Sequence, residues 1–329
     1  MATAKVWRTK IHYMVFVSLL LVFFSALPVA SQEFPTRPVK IVVPYPPGGV
    51  TDLISRAMAD PMAKVLGQPV IIENKPGGGT SLAYSLVANS KPDGYTIGHF
   101  AMGTLVGNYL AYDVSYNPLK SFSYIGEVGI YAMSIIVKAD APWKTWDEFI
   151  NYSKKHPNEI RMGFTNPVST NSIPTKWINK QLGNVWKEVS FNGEPPCVTA
   201  LLGGHIEAFA GGGAHNILVK DGRARALLAL TTDPIPDYPN VPTFKQLYGK
   251  DVVNIAGYIA PTGIPAPILA KLEKATYEAT KAKEFLTVMD KMAMNPGWRN
   301  SQELTKEAHR LLLTLQEFLK DLGMLKIKE

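Results

Sequence analysis

The sequence predicts an α/β protein built as two α/β lobes, and three observations carry that expectation. Short β-branched runs are followed by glycine turns and then by segments with helical apolar spacing, and the unit repeats early in the chain. The alternation restarts near Met133, and two such arrays in roughly 300 residues suit two domains better than one. Cys197 is the single cysteine, so no intramolecular disulfide can form and the fold must rest on its apolar core; 46% apolar residues in 329 suffice for one.

Residues 1–31 read as an export leader. Lys5, Arg8 and Lys10 precede an apolar run from about Tyr13 to Ala26, and small residues Val29 and Ser31 place cleavage after Ser31. A permanent anchor is the alternative, but a bilayer asks for roughly 20 apolar residues and this run is shorter. No cysteine stands near the cleavage point to carry a lipid. Removing the leader takes the formal charge from +7 to +4, a mild excess compatible with anionic small molecules. Clustered basic stretches of the kind that bind nucleic acid are absent, and no second run is long enough to span a membrane. The mature chain is therefore expected to be soluble and outside the cytoplasm.

In the first array, Val39 to Val43 (VKIVV) reads as a buried parallel strand. The turn VPYPPGGVTD follows, with Thr51 and Asp52 as candidate caps for a helix whose apolar positions are Leu53, Ile54, Met58, Met62 and Leu66. Pro69 to Glu73 is a second strand, ending in Pro76-Gly77-Gly78-Gly79 and a helix from Thr80-Ser81 to about Ala88. Pro92-Asp93-Gly94 then turns the chain into a strand over Tyr95 to Phe100.

The second array has strands over Met133 to Val137, Ile160 to Phe164, Val189 to Phe191, Ile206 to Ala210 and Ala224 to Leu230. Helices are expected over Thr145 to Lys155, Ile173 to Leu182, a stretch ending near Leu202, and Asn216 to Asp221. Helical spacing returns over Pro265 to Thr280, Ala282 to Met292 and Ser301 to Leu322, with no further strands, so these helices are expected to pack back on the first array. The resulting division is residues 32–132 with 256–329 as one lobe and 133–255 as the other.

Turns that follow parallel strands gather at one sheet edge, where ligands bind. Glycine lets the backbone take positive φ and approach a ligand, and the next helix start offers unpaired N–H groups and a positive dipole end, which attract anions. The turns Pro46 to Asp52 and Pro76 to Ser81 have this form, although each could equally serve only to reverse the chain. Neither is a phosphate-binding P-loop, since no lysine follows at that spacing, and Gly-x-Gly-x-x-Gly, Gly-x-Ser-x-Gly and His-Glu-x-x-His are absent. His99, His205 and His215 are scattered without metal-ligand spacing. No catalytic residue, metal or cofactor is expected: the chain offers a seat for an anion and little machinery to transform one.

Several stretches together resemble the receptors of tripartite tricarboxylate transporters, also called Bug proteins. They are Phe34 to Gly49 with Thr51-Asp52, Leu66 to Val70, Glu73 to Gly77, Pro92 to Thr96, Ala200 to Gly204, Pro239 to Thr243 and Ala260 to Pro267, in order along nearly the whole mature chain. The resemblance implies a type II periplasmic binding protein fold, two α/β lobes joined by a double-crossover hinge and closing on an interlobe cleft. It also implies a solute-binding receptor without enzymatic activity, a small organic mono- or dicarboxylate as ligand, and a permease of one large and one small integral-membrane subunit as partner.

The resemblance places ligand contacts at Tyr45, Pro47, Gly48, Gly49, Thr51 and Asp52 in the first turn, beside which the glycine turn at Gly78 and Gly79 is a candidate. It adds Ala101 and Met102 after the third strand, and Thr165, Asn166, Ser169 and Thr170 in the second lobe. Pro167 and Val168 stand where smaller residues are usual. Asn192 supplies an amide where charge is often found, and Gly211 replaces a usual aspartate. Loss of that carboxylate argues for more room and against an amino-acid ligand. Tyr45, Phe164 and Tyr258 are either pocket walls or core; Arg37 and Arg161 are expected at the opposite edge as surface charges. Two rival functions remain in view: a sensing receptor that docks on a membrane kinase, and an exported enzyme on the same scaffold.

Overall fold

The computed structural model describes residues 34–213 and 215–326. The expected leader lies outside the described residues. The elements run β1 (Val39–Val43), α1 (Val50–Leu66), β2 (Val70–Asn74), α2 (Ser81–Ala88), β3 (Thr96–Ala101), α3 (Met102–Ala111), β4 (Phe122–Ile130) and β5 (Ser134–Lys138). There follow α4 (Trp146–Lys155), β6 (Ile160–Phe164), α5 (Ser172–Gln181), β7 (Trp186–Ser190), α6 (Glu194–Leu202), β8 (Ala208–Gly211), α7 (Asn216–Lys220), β9 (Ala224–Ala229) and α8 (Phe244–Tyr248). The chain closes with β10 (Ile255–Pro261), α9 (Ala266–Ala279), α10 (Lys283–Lys291), the two-residue β11 (Asn295–Pro296) and α11 (Ser301–Leu322).

Two sheets result, ordered β11-β4-β10-β3-β1-β2 and β7-β6-β8-β5-β9. Apart from β11, the two orders are the same pattern. In each, a strand pairs in parallel with the next two in sequence, as β1 does with β2 and β3, and β6 with β7 and β8. Within this shared pattern each sheet also holds one antiparallel strand, β10 in the first and β5 in the second, and the short β11 adds a further antiparallel pairing on β4. Strands β10 and β5 are the ones that enter from the other sheet: β4 leads through Tyr131-Ala132-Met133 into β5, and β9 leads through residues 230–254 into β10. A chain arriving at the edge where the parallel strands end has to run the opposite way, so the sheets are mixed rather than purely parallel.

The early elements match their local sequence. Ile54, Met58, Met62 and Leu66 of α1 are buried as their spacing predicts, and Gly67 ends the helix in the left-handed conformation. The helix starts at Val50 with Gly49 as its N-cap, so Thr51 and Asp52 sit inside the first turn instead of capping it. The stretch from Met102 to Ile130 holds a helix and a nine-residue strand that local pattern did not announce. Residues 102–108 of α3 are all buried, which removes the polar stripe that marks a helix, and β4 carries two glycines that interrupt its alternation. Helices α9 and α10 pack on α1, whereas α11 lies against α3 and also reaches α5, where Trp177 Nε1 donates to Asp321 at 2.6 Å.

Candidate functional site

The ends of the two sheets face one cavity enclosing about 490 Å³ of space, part of it open to solvent. Tyr45, Pro46, Gly49, Val50, Thr51, Ala101 and Thr104 line one side, Thr165, Ser169, Asn171, Glu194, Pro195 and Gly212 the other, and Tyr131 and Asn254 of the crossing segments form the back. No lysine or arginine is among them.

The first side is built by the turn after β1. Gly48 has φ 85, open to glycine and costly for other residues, and its N–H donates to Asp52 Oδ2 at 2.9 Å. Asp52 is buried and also receives Arg56 Nε at 3.0 Å and Asn74 Nδ2 at 2.9 Å. Burial opposes ionisation of Asp52, but the hydrogen bonds from Arg56, Gly48 and Asn74 outweigh it and hold the carboxyl below its ordinary range. The turn is thereby locked, and the next amides, those of Val50 and Thr51, begin a helix whose N-cap glycine has no side chain to cover them. These N–H groups and the dipole end of α1 give the cavity its anion-attracting wall.

Behind that wall lies a closed ring of hydrogen bonds. Ser55 Oγ donates to the Thr51 carbonyl at 2.8 Å, so His99 Nδ1, 2.8 Å from Ser55 Oγ, carries the proton of a neutral imidazole. His99 Nε2 then accepts from the Tyr131 hydroxyl at 3.2 Å, and Tyr131 accepts from Thr51 Oγ1 at 3.1 Å. Burial pushes the His99 pKa down to about 3, which agrees with a neutral ring. Burial likewise raises the pKa of Tyr45 and Tyr131, so both present neutral hydroxyls to the cavity.

On the second side, Asn171 is fixed by donation to the Ala210 carbonyl at 2.7 Å and by its contact with the Ser169 hydroxyl. Asn254 is oriented by the Gly103 N–H, 2.9 Å from its Oδ1. Glu194, at the first position of α6, is buried. One of its oxygens lies within 3.3 Å of the Gly212 and Gly213 N–H groups, 3.0 Å of the His215 N–H and 2.8 Å of His215 Nδ1.

Of the residues anticipated from sequence, Tyr45, Gly49, Thr51, Ala101, Thr165 and Ser169 meet in this cavity. A smaller space of about 240 Å³ gathers Gly79, Asn166 and Asn192, again with Tyr45 and Thr165. Asn166 Nδ2 is committed there to the Gly79 carbonyl at 2.5 Å, a bond between the two sheets' loops. The remaining anticipated residues line neither space. Pro47, Gly48 and Gly78 face outward; Asp52 is held by Arg56; Met102 is buried beneath the Tyr124 hydroxyl; Thr170 is buried with its hydroxyl toward Met133 sulfur. Gly211 is buried, and a side chain there would collide with the His215 ring. The room expected from its missing carboxylate is therefore filled, and Glu194 returns a negative group to the same neighbourhood. Phe164 and Tyr258 belong to the core, and only Tyr45 walls the cavity. Arg37 and Arg161 pair with Asp93 and Glu207, away from it.

Local reading missed Pro46, Val50, Thr104, Tyr131, Asn171, Glu194, Pro195, Gly212 and Asn254 as lining residues. Thr104 and Asn171 are close in sequence to the anticipated Met102 and Thr170. Tyr131 and Asn254 could be found only from the places where the chain crosses between sheets.

Residues 54–324 match the family model described as the tripartite tricarboxylate transporter family receptor. A protein of Cupriavidus necator encoded in the gbd 5′ region is 32% identical over 306 residues, covering 92% of this chain and 93% of that one. Protein BugT of Bordetella pertussis is 27% identical, covering 82% of this chain and 85% of its own length. Among solved structures, the periplasmic binding protein BugD superposes with a TM-score of 0.82 at 27% identity, over 89% of this chain and all (100%) of that one. MatC of Rhodopseudomonas palustris, solved with bound malate, superposes with a TM-score of 0.80 at 28% identity, over 87% of this chain and 100% of that one. Nothing in these matches speaks for docking on a sensor kinase. The chain belongs to the tripartite tricarboxylate transporter receptors, solute-binding proteins of the periplasmic type rather than enzymes.

Proposed function

We propose that this receptor captures a small organic carboxylate in the cavity between its two sheets and passes it to a membrane permease of one large and one small subunit. The observation that carries the reading is the start of α1: a glycine-capped helix N-terminus opening into a cavity lined mainly by hydroxyls and amides, with Glu194 the one acidic side chain, on the opposite wall. Hydrogen bonds to an ionised group are worth about 1.5–3 kcal/mol each, so a carboxylate can be held there without a lysine or arginine. The malate bound to MatC, a protein of similar fold and sequence, supports the ligand class.

In this reading Tyr45, Gly49, Thr51, Ala101, Thr165 and Ser169 are ligand contacts. Residues 32–132 with 256–329 form one lobe and residues 133–255 the other, and hinge motion at Tyr131–Met133 and residues 230–254 opens and closes the cleft. The leader would be removed after Ser31, releasing a monomer into the periplasm. A thermal-shift screen across aliphatic, hydroxylated and aromatic carboxylates tests the ligand class. At least one carboxylate should raise the melting temperature by several degrees, whereas a response only to sugars or amines would refute it.

A further inference from the structure

We propose that Glu194 occupies, from within the chain, the anion seat that a second ligand carboxylate would take, so that this receptor selects ligands carrying one carboxylate. The turn after β8 repeats the chemistry of the turn after β1. Gly213 has φ 145, a conformation that L side chains rarely adopt, and the N–H groups of Gly212, Gly213 and His215 converge on one point. Glu194 and Gly212 both line the cavity, so this cluster stands at the wall opposite the start of α1. Two inward-facing clusters of main-chain donors, one on each side, would suit a dicarboxylate.

Here the second cluster is already filled. A single Glu194 oxygen lies within 3.3 Å of all three N–H groups and 2.8 Å from His215 Nδ1, and the Gly213 N–H is shared with that ring nitrogen at 3.2 Å. His215 is fully buried and is held from behind by Ser134 Oγ, 2.6 Å from its Nε2. Its ring fits only because residue 211 has no side chain. Gly211, His215 and Glu194 thus form one arrangement, in which a carboxylate fixed in the chain replaces one that a ligand would bring. A dicarboxylate would meet an occupied seat and a fixed negative charge, with no lysine or arginine in the lining to offset it.

The inference rests on the carboxylate reading above, and the test separates the two. Calorimetry on the full mature chain compares hexanoate with adipate and pentanoate with glutarate, for the native protein, Glu194→Ala and Glu194→Gln. The native protein should bind the monocarboxylate of each pair at least tenfold more tightly. Glu194→Ala, which empties the seat, should shift the affinity ratio within each pair at least tenfold towards the dicarboxylate. Glu194→Gln, which keeps an oxygen in place without the charge, should fall between and covers the case in which the alanine variant does not fold. Native preference for the dicarboxylates, or an unchanged ratio in a folded variant, would overturn the role of Glu194 alone. Failure of all four acids to bind any of the three proteins would overturn this role, and the same failure across the hydroxylated and aromatic acids of the screen above would overturn the carboxylate reading itself.

Discussion

The turns after β1 and β8 start from the same parts and end differently. Both follow a strand, both use a glycine at positive φ, both lead into a helix, and both are braced by a buried acidic residue. In the first, Asp52 takes the Gly48 N–H and is drawn away from the cavity by Arg56 and Asn74, so the amides at Val50 and Thr51 stay available. In the second, Glu194 takes the converging amides themselves. The difference teaches that a glycine turn at a helix start is a binding site only as far as the protein's own carboxylates leave its donors unspent.

The two turns also differ in their buried histidines, and the largest predicted effect tests the second. Replacing His215 with Ala removes a fully buried ring and its 2.8 Å contact with Glu194, which should cost roughly 2–5 kcal/mol of stability in urea unfolding. An effect under about 1 kcal/mol would mean that the three amides suffice to hold Glu194.

His99, behind the first turn, sharpens the comparison through pH. Its folded pKa of about 3 lies below the ordinary 6.5, so below pH 6.5 the unfolded chain binds a proton that the folded one refuses. Stability should therefore fall as pH drops from 6.5 towards 3, by roughly 3 kcal/mol at pH 4 from this group. Asp52, also depressed, adds in the same direction at lower pH. A His99→Gln variant should show a flatter pH dependence of unfolding free energy; an unchanged slope would contradict the neutral ring.

Binding at the first turn can be weakened without disturbing the helix. Val50→Pro removes one main-chain N–H at the first helical position, where proline is tolerated. Carboxylate affinity should drop on the order of tenfold to a hundredfold, one charge-assisted bond of about 1.5–3 kcal/mol, as measured by calorimetry. The smallest effect belongs to Gly48→Ala. A side chain there meets no atom, but φ 85 is strained for alanine, so stability should fall by about 1 kcal/mol with ligand affinity unchanged.

Much of this architecture was legible because local chemistry agreed with the fold. Val39–Val43, Ile160–Phe164 and Ser301–Leu322 have the bounds their residues predict, since β-branched runs and helical apolar spacing there match how each element is buried. Strand β4 and helix α3 were hidden because burial on all sides erases periodicity. At the site, the first turn was readable as a glycine-led helix start at the sheet edge, but which amides stay available was not. That depends on Asp52 meeting Arg56 and Asn74 once the chain has folded. Glu194 was invisible as a cavity residue for the same reason: its partners lie at positions 212, 213 and 215, and no local pattern joins them. The missing side chain at Gly211 was noticed, yet its consequence, space for the His215 ring, appears only in three dimensions.

The most direct test of the central claim is a crystal structure of the mature receptor with a bound carboxylate. The account predicts the ligand's carboxylate at hydrogen-bonding distance from the Val50 and Thr51 main-chain N–H groups, with Glu194 still seated on Gly212, Gly213 and His215. A carboxylate bound at that second turn with Glu194 displaced, or one lodged outside the cavity, would contradict it.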